Sequence, residues 1–173
     1  MVPLIAKSVV AIAAVAGLAM SSDQPGGAAY DQKPTTSLTA AAVANHAEIV
    51  FARSDVDRDG ALSADEFTAL SIVTAELARL NGFLTVETGF EPQLISLPAT
   101  ERSLTQIEQI TVAATAKARF YQAAGEDAAL SQEEFTQIQQ ADFKNADLNG
   151  NQRLARHELL IFANRTAQLV AES

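Results

Sequence analysis

Asp55-Val56-Asp57-Arg58-Asp59-Gly60-Ala61-Leu62-Ser63-Ala64-Asp65-Glu66 is the stretch from which the rest of the chain is read. Its first, third, fifth, ninth and twelfth places carry oxygen-bearing side chains. A tight loop converges such alternating donors on one point. A hard cation of the size of Ca2+ takes about six to eight oxygens at roughly 2.3–2.6 Å. Asp55, Asp57 and Asp59 offer carboxylate oxygens, Ala61 its backbone carbonyl, and Ser63 a hydroxyl acting directly or through a water. Glu66 closes the set with both carboxylate oxygens from the first turn of a following helix. Gly60 stands where the loop must turn sharply, and glycine reaches positive φ without the Cβ clash of about 1–2 kcal/mol. Leu62 is the inward apolar residue.

The flanks extend the pattern. Phe51 lies four residues before Asp55, Phe67 follows Glu66, and Ser63 and Glu66 have the spacing of a helix capping box. The stretch resembles the calcium loop of the EF-hand family. That resemblance covers residues from about 38 to 170 and implies an all-α protein of helix-loop-helix units joined by a short β-bridge between loops.

An internal repeat adds to it. Ala61-Leu62-Ser63-Ala64-Asp65-Glu66-Phe67 aligns with Ala129-Leu130-Ser131-Gln132-Glu133-Glu134-Phe135. Counting back from Glu134 puts Ala123 and Gly125 at the first and third places, so only Asp127 supplies a carboxylate in the amino half. Residues 123–134 therefore read as a degenerate loop, for which the resemblance implies a structural role, holding a neighbouring loop through the short backbone pairing that the family uses around the inward Leu. A third loop, 147–158, follows after one shared helix. Asp147, Asn149, Asn151 and Glu158 occupy its side-chain ligand places and Arg153 its carbonyl place. Gln152 replaces the turn glycine, and Ala155 brings no side-chain oxygen, so a water must serve there.

Between the loops, hydrophobic spacing predicts helices. An alanine-rich helix runs from Leu38 into Asp55, with His46 as a surface residue on it. An exit helix carries Phe67, Leu70, Val73, Leu77 and Leu80 on its apolar face and stops at Asn81-Gly82. A helix opened by Ser103 and Gln106 buries Leu104, Ile107, Ile110, Val112 and Phe120, and a last one buries Leu159, Phe162, Thr166 and Leu169. Residues 83–98 interrupt the series: Thr85, Val86 and Thr88 favour extended backbone, while Gly89, Pro92 and Pro98 forbid a helix. This insertion is expected to be a loose hairpin packed over the helices.

The amino terminus has a different character. Lys7 precedes the apolar run Val9–Ala19, short of the roughly 20 residues needed to span a bilayer, so residues 1–21 read as a signal peptide. The alternative is an uncleaved segment that anchors the protein. Residues 22–37, with Pro25, Gly26, Gly27 and Pro34, read as a flexible linker, and 38–173 as the EF-hand domain. The expected location is periplasmic or secreted, with no membrane contact after signal removal.

A formal charge of −9 over 173 residues, with no basic stripe, excludes nucleic acid as a partner. The absence of cysteine excludes disulfides, thiolate metal sites and a cysteine nucleophile. No nucleophile elbow, HExxH motif or glycine-rich phosphate loop is present, so an enzyme is not expected. The expected function is calcium ion binding, as an exported buffer or a calcium-stabilised structural module. The alternative is a sensor that exposes an apolar groove to an unidentified protein partner. Sensors of that kind open onto Met-rich surfaces, whereas Met1 and Met20 both lie in the expected signal peptide.

Overall fold

Thr39 decides how the folded region begins, because its hydroxyl accepts the Ala42 amide and so ends one element and starts another. Before it lies strand β1 (Ser37–Thr39); after it, alanine-rich sequence forms helix α1 (Ala40–Ser54). Strand β2 (Ala61–Leu62) then leads into helix α2 (Ala64–Asn81), opened by the Ser63–Glu66 capping box and closed by Gly82 at φ 69°. Strands β3 (Phe83–Val86) and β4 (Gln93–Ser96) form a hairpin. Helix α3 (Gln106–Ala123), strand β5 (Leu130–Ser131), helix α4 (Gln132–Ala146), strand β6 (Arg153–Ala155) and helix α5 (His157–Thr166) complete the order. The computed structural model describes residues 33–89, 91–98, 102–125 and 127–169. The expected signal peptide and most of the linker lie outside these residues.

The all-α expectation is overturned. Among the described residues, five helices are accompanied by six strands in three two-stranded antiparallel sheets, giving a mixed α/β fold. Two causes account for this. Where a short β-bridge between loops was expected, the centres of the first and degenerate loops pair over two residues, and the centre of the third loop pairs over three residues with β1, ahead of α1. The insertion at 83–98 forms a full hairpin, with Phe83 opposite Ser96 and Val86 opposite Gln93.

The pairing reveals a duplication longer than the seven-residue repeat. β2 pairs with β5, placing Leu62 opposite Leu130, and β1 pairs with β6, placing Leu38 opposite Leu154. At one constant offset, Leu38, Phe51, Asp55, Leu62 and Glu66 recur as Leu130, Phe143, Asp147, Leu154 and Glu158. Each half thus runs strand, helix, complete loop, strand, helix, and the two halves exchange strands. Under the β2–β5 pair lies a buried cluster of Phe51, Leu62, Phe67, Phe120, Leu130 and Phe135. Under β1–β6 lies a second, with Leu38, Val43, Phe143, Leu154, Leu159 and Phe162. The hairpin supplies Leu84, Val86 and Ile95 to this second cluster, much as α3 supplies Ala116 and Phe120 to the first. As expected, it packs over the helices.

Several helix faces differ from their prediction. On α2 the buried residues are Phe67, Thr68, Ser71, Ala75, Ala78 and Arg79, and Leu77 and Leu80 are exposed. On α3, Val112, Ala116 and Phe120 are buried, whereas Ile107 and Ile110 face solvent. The reason is close approach: small residues sit where α2 and α3 meet, and an Arg79–Glu108 ion pair of 2.8 Å fixes their register. The cap of α3 is Thr105 with Glu108, one residue pair later than Ser103 with Gln106. A buried carboxylate, Asp142 on α4, accepts from Arg119 of α3 and Arg165 of α5, tying three helices together.

Candidate metal centre

The first loop is held by its own amides. Asp55 Oδ1 accepts from Asp59 N at 3.2 Å and its Oδ2 from Gly60 N at 3.1 Å. Asp57 Oδ1 accepts from Asp59 N at 3.3 Å, and Asp59 Oδ1 from Ala61 N at 2.9 Å. These bonds curl the chain so that the three aspartates each place an oxygen within 4.8 Å of the others. Glu66 reaches back from α2: Oε1 accepts from Val56 N at 2.8 Å, and Oε2 from the Ser63 amide and hydroxyl at 2.9 and 2.8 Å. Burial pushes the Glu66 carboxyl up, but the Ser63 amide and hydroxyl with the Val56 and Asp57 amides outweigh it and hold the group below its usual 4.5. Its contribution to stability is therefore fully present above that value and is lost as pH falls below it, through the depressed folded value. Ala61 is fixed by pairing with Ser131 across β2–β5.

The third loop repeats this scaffold with different residues. Asp147 accepts from Asn151 N and Gln152 N at 3.2 and 2.9 Å, Asn149 Oδ1 from Asn151 N at 3.1 Å, and Asn151 Oδ1 from Arg153 N at 2.8 Å. Glu158 is buried and accepts from Ala155 N at 3.2 Å. An amide–carboxylate bond of 2.7 Å from Asn149 Nδ2 to Glu158 Oε1 joins its two ends. Among the described residues, the degenerate loop brings no such cluster. Its Asp127 accepts from Ala129 N, and Glu134 caps α4 through Ser131.

Gln152 in place of a turn glycine predicts backbone strain in the third loop alone, and the structure corrects this. Both complete loops have positive φ at the fourth and sixth places: Arg58 and Gly60 in the first, Gly150 and Gln152 in the third. Each loop therefore has one glycine and one side-chain-bearing residue at φ 60°. The strain of about 1–2 kcal/mol falls on both and does not rank them. The third loop has an additional outlier, Arg156, at φ 52° and ψ −118°. Ala155 lacks the hydroxyl that Ser63 uses to open α2, so α5 starts without a side-chain cap.

His46 is not the surface residue expected. It is buried on α1, and its Nδ1 accepts from the Glu87 amide at 3.0 Å, latching the hairpin to the helix that enters the first loop. Burial pushes the imidazole down, Glu87 offsets this in part, and Arg53 adds to it, leaving a pKa of about 4 against the usual 6.5. A depressed pKa means the full contribution is present above the unfolded value and is lost as pH falls towards the folded one. Between about pH 7 and about pH 5 the protein should lose roughly 2 kcal/mol of stability through this group. Urea unfolding at both pH values checks it. His46→Gln should remove that part of the pH dependence, and an unchanged slope would contradict it.

Comparison with known proteins leaves the family open. No family model, curated protein or solved structure matches the chain. Three clustered carboxylates, two of them exposed, with a fourth returning from a helix, form an all-oxygen donor set. Hard cations prefer oxygen, whereas zinc and copper favour sulfur and nitrogen. The donors present suit a hard cation.

Proposed function

We propose that the chain binds calcium through the 55–66 and 147–158 loops, as an EF-hand-like protein that acts after export as a calcium buffer or a calcium-stabilised module. One observation carries the reading. Two loops of different sequence hold their donor residues on the same amide scaffold, although one relies on Asp57, Asp59 and Gly60 and the other on Asn149, Asn151 and Gln152. In the first loop Asp55, Asp57, Asp59, the Ala61 carbonyl, Ser63 and Glu66 hold the ion. In the second these are Asp147, Asn149, Asn151, the Arg153 carbonyl and Glu158. Bound calcium supplies positive charge that offsets the repulsion among the carboxylates and ties the end of one helix to the start of the next. Export rests on residues 1–21 acting as a signal peptide. Among the described residues, no helix is long and apolar enough to cross a membrane.

Heat unfolding tests the reading. Calcium at about 100 times its Kd adds roughly 2.7 kcal/mol, which raises Tm by about 5–10 °C for a chain of this size. Magnesium demands near-octahedral geometry at about 2.0–2.1 Å and should raise it much less at equal concentration. Equal shifts with both ions, or no shift with calcium, would sink the assignment.

A further inference from the structure

The two complete loops do not pair with each other. The 55–66 loop is braced by β5 from the degenerate loop, whereas the 147–158 loop is braced by β1, the strand that precedes α1. β1 is well anchored. Leu38 is fully buried in one cluster with Leu154, Leu159 and Phe162, and Arg153 Nη1 donates to Ser37 Oγ at 3.3 Å. Just ahead of it, Thr35 N donates to Leu94 O of the hairpin at 2.7 Å, and the Thr35 hydroxyl to Ser37 O at 2.8 Å. The residues that β1 fixes matter to the loop: Thr39 is opposite Arg153, whose carbonyl is a proposed ligand, and Ser37 is opposite Ala155.

Immediately beyond β6 stands Arg156, in a backbone conformation that a side-chain-bearing residue rarely adopts. Such a conformation persists only where its surroundings over-determine it. Here β1 holds one side, and the buried Glu158 and Leu159 hold the other. β1 is thus one of the two constraints on Arg156, which lies between the Arg153 carbonyl and the Glu158 carboxylate along the chain. The 55–66 loop has no counterpart, since Ala64 there enters the helix directly.

We propose that docking of β1 and calcium binding at the 147–158 loop are one linked equilibrium, so that a pull on the chain ahead of Ser37, or a cut there, weakens calcium at that loop and leaves the 55–66 loop unaffected. This rests on the calcium reading above. Linkage is reciprocal, so calcium must tighten β1 by the same factor by which β1 tightens calcium.

Amide hydrogen exchange on the full chain, run beside a calorimetric calcium titration, tests the coupling. Calcium should slow exchange across residues 37–39 by about tenfold or more, both in the native sequence and in Glu66→Gln, but not in Glu158→Gln. In the reverse direction, Leu38→Ala should weaken the 147–158 phase by about tenfold while the 55–66 phase stays in place. If Leu38→Ala fails to fold, the exchange arm decides alone. Calcium heat at both loops with unchanged exchange at 37–39 overturns the coupling and leaves the calcium reading standing. No heat at either loop overturns both.

Discussion

Phe135→Ala is expected to destabilise the protein by about 3–5 kcal/mol. The side chain is fully buried, and its ring centroid lies 6.0 Å from that of Phe51 and 6.2 Å from that of Phe67. These three rings come from α4, α1 and α2, so the cavity left behind opens beneath the β2–β5 pair and touches helices on both sides of the 55–66 loop. Aromatic pairs contribute about 0.5–1.5 kcal/mol beyond their buried area, which puts Phe135 at the upper end of large-to-small core changes. Denaturant unfolding reads the loss. Ile107→Ala serves as a control, because that residue is 77% exposed and surface changes stay within about 0.5 kcal/mol. A loss below about 1 kcal/mol at Phe135 would show that this cluster does not hold the loop pair together.

The second large effect is on the order in which calcium fills the loops. Asp55, Asp57, Asp59 and Glu66 bring four carboxylates to the first, against Asp147 and Glu158 alone in the other. Arg153 and Arg156 add positive charge to the second loop, and Arg58 adds less to the first. Ligand charge is a lever that moves affinity in such loops between roughly 10⁻⁹ and 10⁻³ M. Backbone strain at the fourth and sixth places does not separate them, since Arg58 in one matches Gln152 in the other. Charge alone therefore ranks the sites. Asp55→Ala should remove the tighter phase of a calcium titration and spare the weaker one; Asp147→Ala should do the reverse. A tighter phase that survives Asp55→Ala but vanishes in Asp147→Ala would reverse the ranking.

What could be read from the sequence depended on how local its cause was. The turn and helix start of the 55–66 loop are legible because its turn glycine and its capping box lie within twelve residues, and the structure has Gly60 at positive φ and both capping-box bonds. The end of α2 at Gly82 was legible for the same reason. β1 was not: three residues show no usable alternation, and their partner at 153–155 lies most of the chain away. Its signal was present in the longer repeat, where Leu38-Thr39 stands to Leu62-Ser63 as a vestige of the same loop end without the final glutamate, Ala42 filling that place. The buried faces of α2 and α3 are not legible from the large apolar residues, because small ones, Ser71, Ala75 and Ala116, are buried there and let the two helices approach. His46 looked like a surface residue because its partner is a backbone amide of the hairpin, which has no signature in the sequence around it.

Calorimetric titration of the full chain with calcium tests the central claim most directly. Two ions should bind per chain, in two phases, with Glu66→Gln removing the tighter phase and Glu158→Gln the weaker. A titration without heat, or a stoichiometry that neither substitution changes, would contradict calcium binding at these loops.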